Sequence, residues 1–183
     1  MNAKLKILCA LLVASLLDEI SGHGMLMDPV NRASRWKVDG STPRDYNDME
    51  GFCGGFNVMW NQNGGKCGLC GDNYANSRPR AHELGGTFGL GVVMKTYTQG
   101  QTIPVTVKIT ANHKGYFYFK ICNLDVEAES DACFERYNVQ TTVGSTYPLT
   151  TSEAKDYIVN LQLPTNLYCN HCVLQWTYKC GKF

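Results

Sequence analysis

The chain has 183 residues, with 17 Lys plus Arg against 16 Asp plus Glu, so its formal net charge is +1. That balance excludes a nucleic-acid groove and a polybasic membrane surface, both of which need a clear excess of cations. Nine cysteines, 18 glycines and an 11 % aromatic content point instead to an exported, loop-rich protein.

The chain opens Met1-Asn2-Ala3-Lys4-Leu5-Lys6, two lysines without an acid, followed by an apolar run from Ile7 to Leu17 broken only by Ser15. A basic start, a short apolar stretch and small residues after it make a secretory signal peptide. The run is shorter than the roughly 20 residues a membrane-spanning helix needs. Ser21 and Gly22 are the small residues at which cleavage can fall. Cutting after Gly22 gives a signal peptide over 1–22 and a secreted chain, 23–183, whose first residue is His23. That length suits one domain with a real core.

Residues 24–90 are rich in Gly, Asn, Asp, Pro and Arg and show no sustained period. They are expected to form a long loop region with one or two helical turns. A loop of this length in a compact domain is usually functional. Beyond residue 90 the pattern alternates. Ile103, Val105, Val107 and Ile109 interleave with Thr102, Thr106, Lys108 and Thr110; Phe117, Phe119 and Ile121 interleave with Tyr116, Tyr118 and Lys120. Tyr157, Val159, Leu161 and Leu163 form a third such face, and Leu174, Trp176 and Tyr178 a fourth. Period two with one apolar face predicts half-buried strands. The expected fold is all-β, an antiparallel β-sandwich with long stapled loops.

Cys9 lies in the signal peptide. The remaining eight, Cys53, Cys67, Cys70, Cys122, Cys133, Cys169, Cys172 and Cys180, are an even number and predict a disulfide framework whose connectivity stays open. Cys122 and Cys133 are the favoured pair, because they flank one polar loop. The Cys67/Cys70 and Cys169/Cys172 spacings also match zinc sites, but the distance between the two pairs is far longer than a zinc ribbon uses, and an oxidising compartment favours disulfides.

Four histidines are present. An N-terminal His23 offers its free amine and its own ring Nδ1 as a chelate, and His113, at the bend after Ile109-Thr110-Ala111-Asn112, would supply a third nitrogen. Three nitrogens with open positions suit tetragonal Cu(II), and binding requires neutral rings. His82 lies in a charged loop and, with Glu83, reads as a structural pair; Asp45, Asp48 and Glu50 read as acids facing water. No Gly-x-Ser-x-Gly or His-Glu-x-x-His motif is present, and there is no Asn-X-Ser/Thr site.

Several stretches together carry a resemblance. They are His23-Gly24, Pro29-Val30-Asn31-Arg32-Ala33-Ser34 with Trp36, Tyr46-Asn47-Asp48, Cys53-Gly54-Gly55-Phe56, and the run from Gln62 to Asp72. They continue with Arg80-Ala81-His82-Glu83, Thr110-Ala111-Asn112-His113, and Cys172-Val173-Leu174-Gln175-Trp176-Thr177-Tyr178. In this order the chain resembles the lytic polysaccharide monooxygenases of auxiliary-activity family fifteen. The resemblance implies an immunoglobulin-like or fibronectin-like antiparallel β-sandwich with long disulfide-stapled loops, and one copper ion held by His23 and His113, with Ala111 crowding an axial position. It implies an external reductant, O2 or H2O2 as co-substrate, and hydrogen abstraction at C1 or C4 of an insoluble β-1,4-linked polysaccharide, with chitin favoured over cellulose. Trp36 and Tyr46 would stack on sugar rings or pack within the loop. The protein is expected to be a secreted monomer without nucleic-acid or membrane partners. The family pattern runs on past Tyr178 with further cysteines, a glutamine or glutamate, and an axial aromatic, whereas this sequence ends at Phe183. Tyr178 itself matches a strand position upstream of the axial residue. The expectation is a shortened, catalytically impaired form; the alternative function is a secreted chitin- or copper-binding protein.

Overall fold

The structure is a computed structural model that describes residues 22–181. The signal peptide expected over 1–22 lies, but for Gly22, outside the described residues. Seven strands and one short helix follow in chain order: β1 (His23–Asp28), β2 (Thr102–Ala111), β3 (Gly115–Asn123), α1 (Asp131–Glu135), β4 (Tyr137–Thr141), β5 (Tyr147–Leu149), β6 (Asp156–Gln162) and β7 (Cys172–Lys179).

All pairings are antiparallel. One layer runs β1-β2-β6-β4. In the other, β3 has β7 along one edge and β4 and β5 in succession along the other. β4 pairs with both β6 and β3, and so joins the layers. The result is the antiparallel sandwich expected from the alternating pattern, of the immunoglobulin-like or fibronectin-like type that the resemblance implies.

The alternation sets the core directly, because successive side chains of a strand point to opposite faces. Ile103, Val105, Val107 and Ile109 of β2 are buried, and Val105 and Val107 pair across to Val159 and Tyr157 of β6. Phe117, Phe119 and Ile121 close the core from β3, with Val139, Leu149 and Leu26 filling in. Phe117 is the aromatic centre: Trp176, Tyr178 and Tyr157 meet it edge-on at 5.4, 5.3 and 6.0 Å, the geometry that places positive ring edges on a negative ring face. A smaller second core lies on the other side of β3, where Cys122, Cys133, Phe134 and Leu69 pack together. The Ser130 hydroxyl caps α1 by accepting the Cys133 N–H at 3.1 Å, and so starts a helix too short to persist on its own.

Two expectations need correction. The segment 24–90 does not begin as loop: its first residues form β1. That strand lacks clean alternation because both its faces are partly covered and bulges interrupt its register at His23/Gly24 and Leu26/Asp28. The remainder does form irregular structure, with a 3-10 turn at Arg35–Lys37 and a π-helical turn at Val58–Gln62.

The second correction concerns the cysteines. Cys53–Cys67, Cys122–Cys133 and Cys169–Cys172 are bonded, while Cys70 and Cys180 are free thiols. Cys70 packs against the second core next to Leu69, whose carbonyl accepts Gln175 Nε2 of β7 at 2.7 Å, and Cys180 follows the end of that strand. The two thiols therefore sit at different points along β7 and are not bonded to each other. Cys67 bonds to Cys53 rather than across its own Cys-x-x-Cys, which removes the zinc reading of that motif.

Candidate metal centre

The first residue of β1 and the bend that ends β2 come together because the two strands pair. His23 stands opposite Ala111, two residues before His113. The bend is built rigidly. The Asn112 amide donates to the Glu153 carbonyl and the Tyr157 hydroxyl, both at 2.8 Å, while its oxygen accepts the Lys114 N–H at 2.8 Å. Lys114 adopts φ +55°, and Gly115 φ +91° lets the chain pass Lys179 where a Cβ would lie 1.9 Å from its carbonyl oxygen.

Tyr178 holds the bend from β7. Its hydroxyl accepts the His113 N–H at 2.8 Å and lies 3.4 Å from the Asn112 side-chain oxygen. Burial, only partly offset by that amide donor, pushes the phenol up to about 12, so it stays a neutral hydroxyl. Tyr178 thus orients the main chain of His113, consistent with a strand position rather than an axial one. On the other side the Phe52 ring meets the His23 ring edge-on at 6.3 Å. The Met49 carbonyl accepts the Gly24 N–H at 3.2 Å and ties the loop before Phe52 to β1.

Gly24 fits only as glycine. A Cβ there would lie 2.6 Å from Ile109, 2.8 Å from the Lys108 carbonyl oxygen and 3.2 Å from Trp176. Gly22 is as crowded: a Cβ there would lie 2.4 Å from the Tyr178 ring and 2.6 Å from the Cys180 sulfur. With ordinary bond lengths this puts Cys180 Sγ within about 7 Å of the His23 nitrogen. Among the described residues no three His, Cys, Asp or Glu side chains converge on a metal position. The donor set available here is therefore two imidazoles and whatever the residue-23 nitrogen becomes. A free amine there would complete three nitrogens, a set that suits copper.

Comparison with known proteins decides the family. The family profile described as "Lytic polysaccharide mono-oxygenase, cellulose-degrading" matches residues 23–182. The chain belongs to the lytic polysaccharide monooxygenases. A solved AA15 lytic polysaccharide monooxygenase from Thermobia domestica, in the Cu(I) state, agrees with it at a TM-score of 0.84 and 39 % identity, over 88 % of this chain and 85 % of that one. No curated relative matches. This monooxygenase is thus a copper-dependent enzyme of oxidative polysaccharide cleavage on the AA15 pattern.

The other predicted site residues of the monooxygenase sit as follows. Trp36 and Tyr46 are neighbours, with ring centroids 6.0 Å apart. Trp36 Nε1 donates to the Asp45 carbonyl at 2.9 Å, and Tyr46 is 75 % exposed. Trp36 therefore packs within the loop while Tyr46 presents its ring to solvent. Asp45 and Asp48 do not face water as expected. Asp48 is buried and pairs with Lys37 at 2.6 Å, and Asp45 meets His82 at 2.8 Å. Glu83, expected as half of a loop pair with His82, is 1 % exposed and pairs with Arg78 and Arg80 instead. Phe52, Asn112 and Cys180 were not singled out as neighbours of the centre. Asn112 stands beside His113 in the sequence, but its clamp on Glu153 and Tyr157, like the places of Phe52 and Cys180, arises from contacts between distant segments.

Proposed function

We propose that cleavage after Gly22 yields a secreted enzyme whose His23 amine and ring, with the His113 ring, hold one copper ion. The observation that carries this reading is the β1–β2 pairing of His23 with Ala111, beside the braced His113 bend. Two supports add to it. The family match begins at residue 23. Gly22, where an added Cβ would lie 2.4 Å from the Tyr178 ring, is a small residue of the kind at which a leader is cut.

Bound copper would cycle between Cu(II) and Cu(I) with an external reductant and activate O2 or H2O2 for attack at C1 or C4. The protein's own residues act around it. His23 and His113 supply neutral nitrogens. Phe52 walls one side and limits the motion of the His23 ring. Tyr178 and Asn112 hold the His113 bend from beneath. Ala111, the β2 partner of His23, would place only a methyl group beside the two ligands. Tyr46 offers a flat, exposed ring to a sugar face, backed by Trp36.

The substrate favoured is chitin, on the AA15 likeness and the Ala111 match; the family description names cellulose, and both polymers belong in the test. Mass spectrometry of the secreted protein should find His23 as the first residue and one copper per chain. With ascorbate and peroxide, crystalline chitin should release oxidised chito-oligosaccharides in excess over oxidised cello-oligosaccharides from cellulose. A different first residue, or fragments that are only hydrolytic, would refute the proposal.

A further inference from the structure

We propose that His82 is a positioning residue for the Trp36–Tyr46 surface. As an imidazolium bridging Asp45 and Asp72 it holds the loop that presents these rings, so that polysaccharide binding weakens on the alkaline side. The inference rests on the reading of Trp36 and Tyr46 as a sugar-binding surface.

The protonation state follows from geometry. His82 Nε2 lies 2.8 Å from Asp45 Oδ2 and Nδ1 lies 2.8 Å from Asp72 Oδ1. Ionised carboxylates only accept hydrogen bonds, so both ring nitrogens must donate, and a neutral ring has one donor. The ring is clamped flat on Phe88 at 4.8 Å. Arg32 faces His82 only through its carbonyl, donating at 2.8 Å, and is itself paired with Glu129. The His82 N–H lies 3.4 Å from Asp72 Oδ2. Arg80 and Glu83, its neighbours in sequence, pair with each other. Two carboxylates thus face the ring, and among the described residues no Lys or Arg forms an ion pair with either of them. Burial alone would lower the His82 pKa, but the hydrogen bonds to Asp72 and Asp45 outweigh it and raise the value above that of an ordinary histidine.

Asp45 passes this constraint to the aromatic surface. Its Oδ2 meets His82, its Oδ1 accepts the Asn47 N–H at 2.9 Å, and its carbonyl accepts Trp36 Nε1 at 2.9 Å. The backbone on both sides of Tyr46 is therefore set by one aspartate. Arg44 lies over the Trp36 ring at 5.9 Å. The same loop reaches Met49, which bonds Gly24 beside His23. When His82 loses a proton, one carboxylate faces a lone pair. Asp45, at 13 % side-chain exposure against 5 % for Asp72, reaches water more readily and gives way first.

The test uses the mature chain with chitin sedimentation from pH 6 to 9.5, alongside NMR of the His82 ring and the Trp36 indole N–H. Binding should fall of the order of tenfold as His82 titrates, the effect of losing one charge-assisted bond that orders the loop. The Trp36 signal should shift with the same midpoint. His82→Gln should bind weakly at every pH, with its pH dependence lost and copper affinity kept. Tyr46→Ala tests the sugar-binding reading separately. Unchanged binding in that variant refutes that reading, while a Trp36 signal that tracks His82 still supports positioning. Binding that stays flat while His82 titrates, or a Trp36 signal that ignores it, overturns the proposal. Should His82→Gln fail to fold, the wild-type NMR titration decides alone.

Discussion

Replacing Glu83 with glutamine probes the ionic cluster beneath the long loop. Glu83 is 1 % exposed and accepts from Arg80 Nη1 at 2.5 Å, the Arg80 N–H at 3.1 Å and Arg78 Nε at 2.8 Å. Burial by itself would raise its pKa, but these donors overcome that and hold the carboxyl below the usual range. Arg80 is buried while Arg78 is half exposed. Arg78 would recover solvent in the variant, so nearly all of the loss falls on Arg80, which keeps the Asn73 and Tyr74 carbonyls but loses its anionic partner. Removing one partner of a buried pair costs about 3–5 kcal/mol. For a chain of this size about 3 kcal/mol lowers Tm by roughly 6–12 °C. Arg78→Gln should cost under about 1 kcal/mol, as exposed pairs do.

Calorimetry at pH 7 measures the shift. A group whose folded pKa is lowered stabilises above its unfolded value, near 4.3, and that contribution disappears as pH falls through the folded value. The melting curves of Glu83→Gln and the parent should therefore converge at a pH below the ordinary carboxylate range. A Tm loss under about 2 °C, or an equal loss in Arg78→Gln, would refute this account of the cluster. So would a difference that persists undiminished in strong acid.

Other expectations follow from the same contacts. His113→Ala should leave a folded sandwich but weaken copper binding beyond the roughly 10–100-fold that outer-shell changes cost. Tyr178→Phe, which keeps the ring but removes the hydroxyl that holds His113 N–H, should fall within that range; calorimetric titration with copper distinguishes the two. Thiol titration should find two reactive groups in denaturant. In the native protein Cys70 should react very slowly, since burial pushes its thiol up to about 12, next to Glu129; two thiols that react equally fast would contradict its burial. Phe117→Ala should cost about 3–5 kcal/mol by chemical denaturation, because three aromatic edges converge on a ring that is 0 % exposed.

The sequence by itself determined the sandwich and the candidate metal ligands. Period-two runs in β2, β3, β6 and β7 are local signals, since a strand's side chains alternate whatever it packs against. A histidine soon after a short apolar run with a basic start is likewise visible in one dimension. β1 escaped detection because bulges and partial burial on both faces break its alternation. Which cysteines stay unpaired was not legible, because whether two of them can meet depends on where the strands and loops carry them. The Asp45–His82–Asp72 bridge, the burial of Asp48 and Glu83, and the Tyr178 bond under His113 join residues up to 65 positions apart. Only the tertiary structure brings such groups together and removes them from water. Burial and partner then decide whether a loop carboxylate faces solvent or forms an internal clamp.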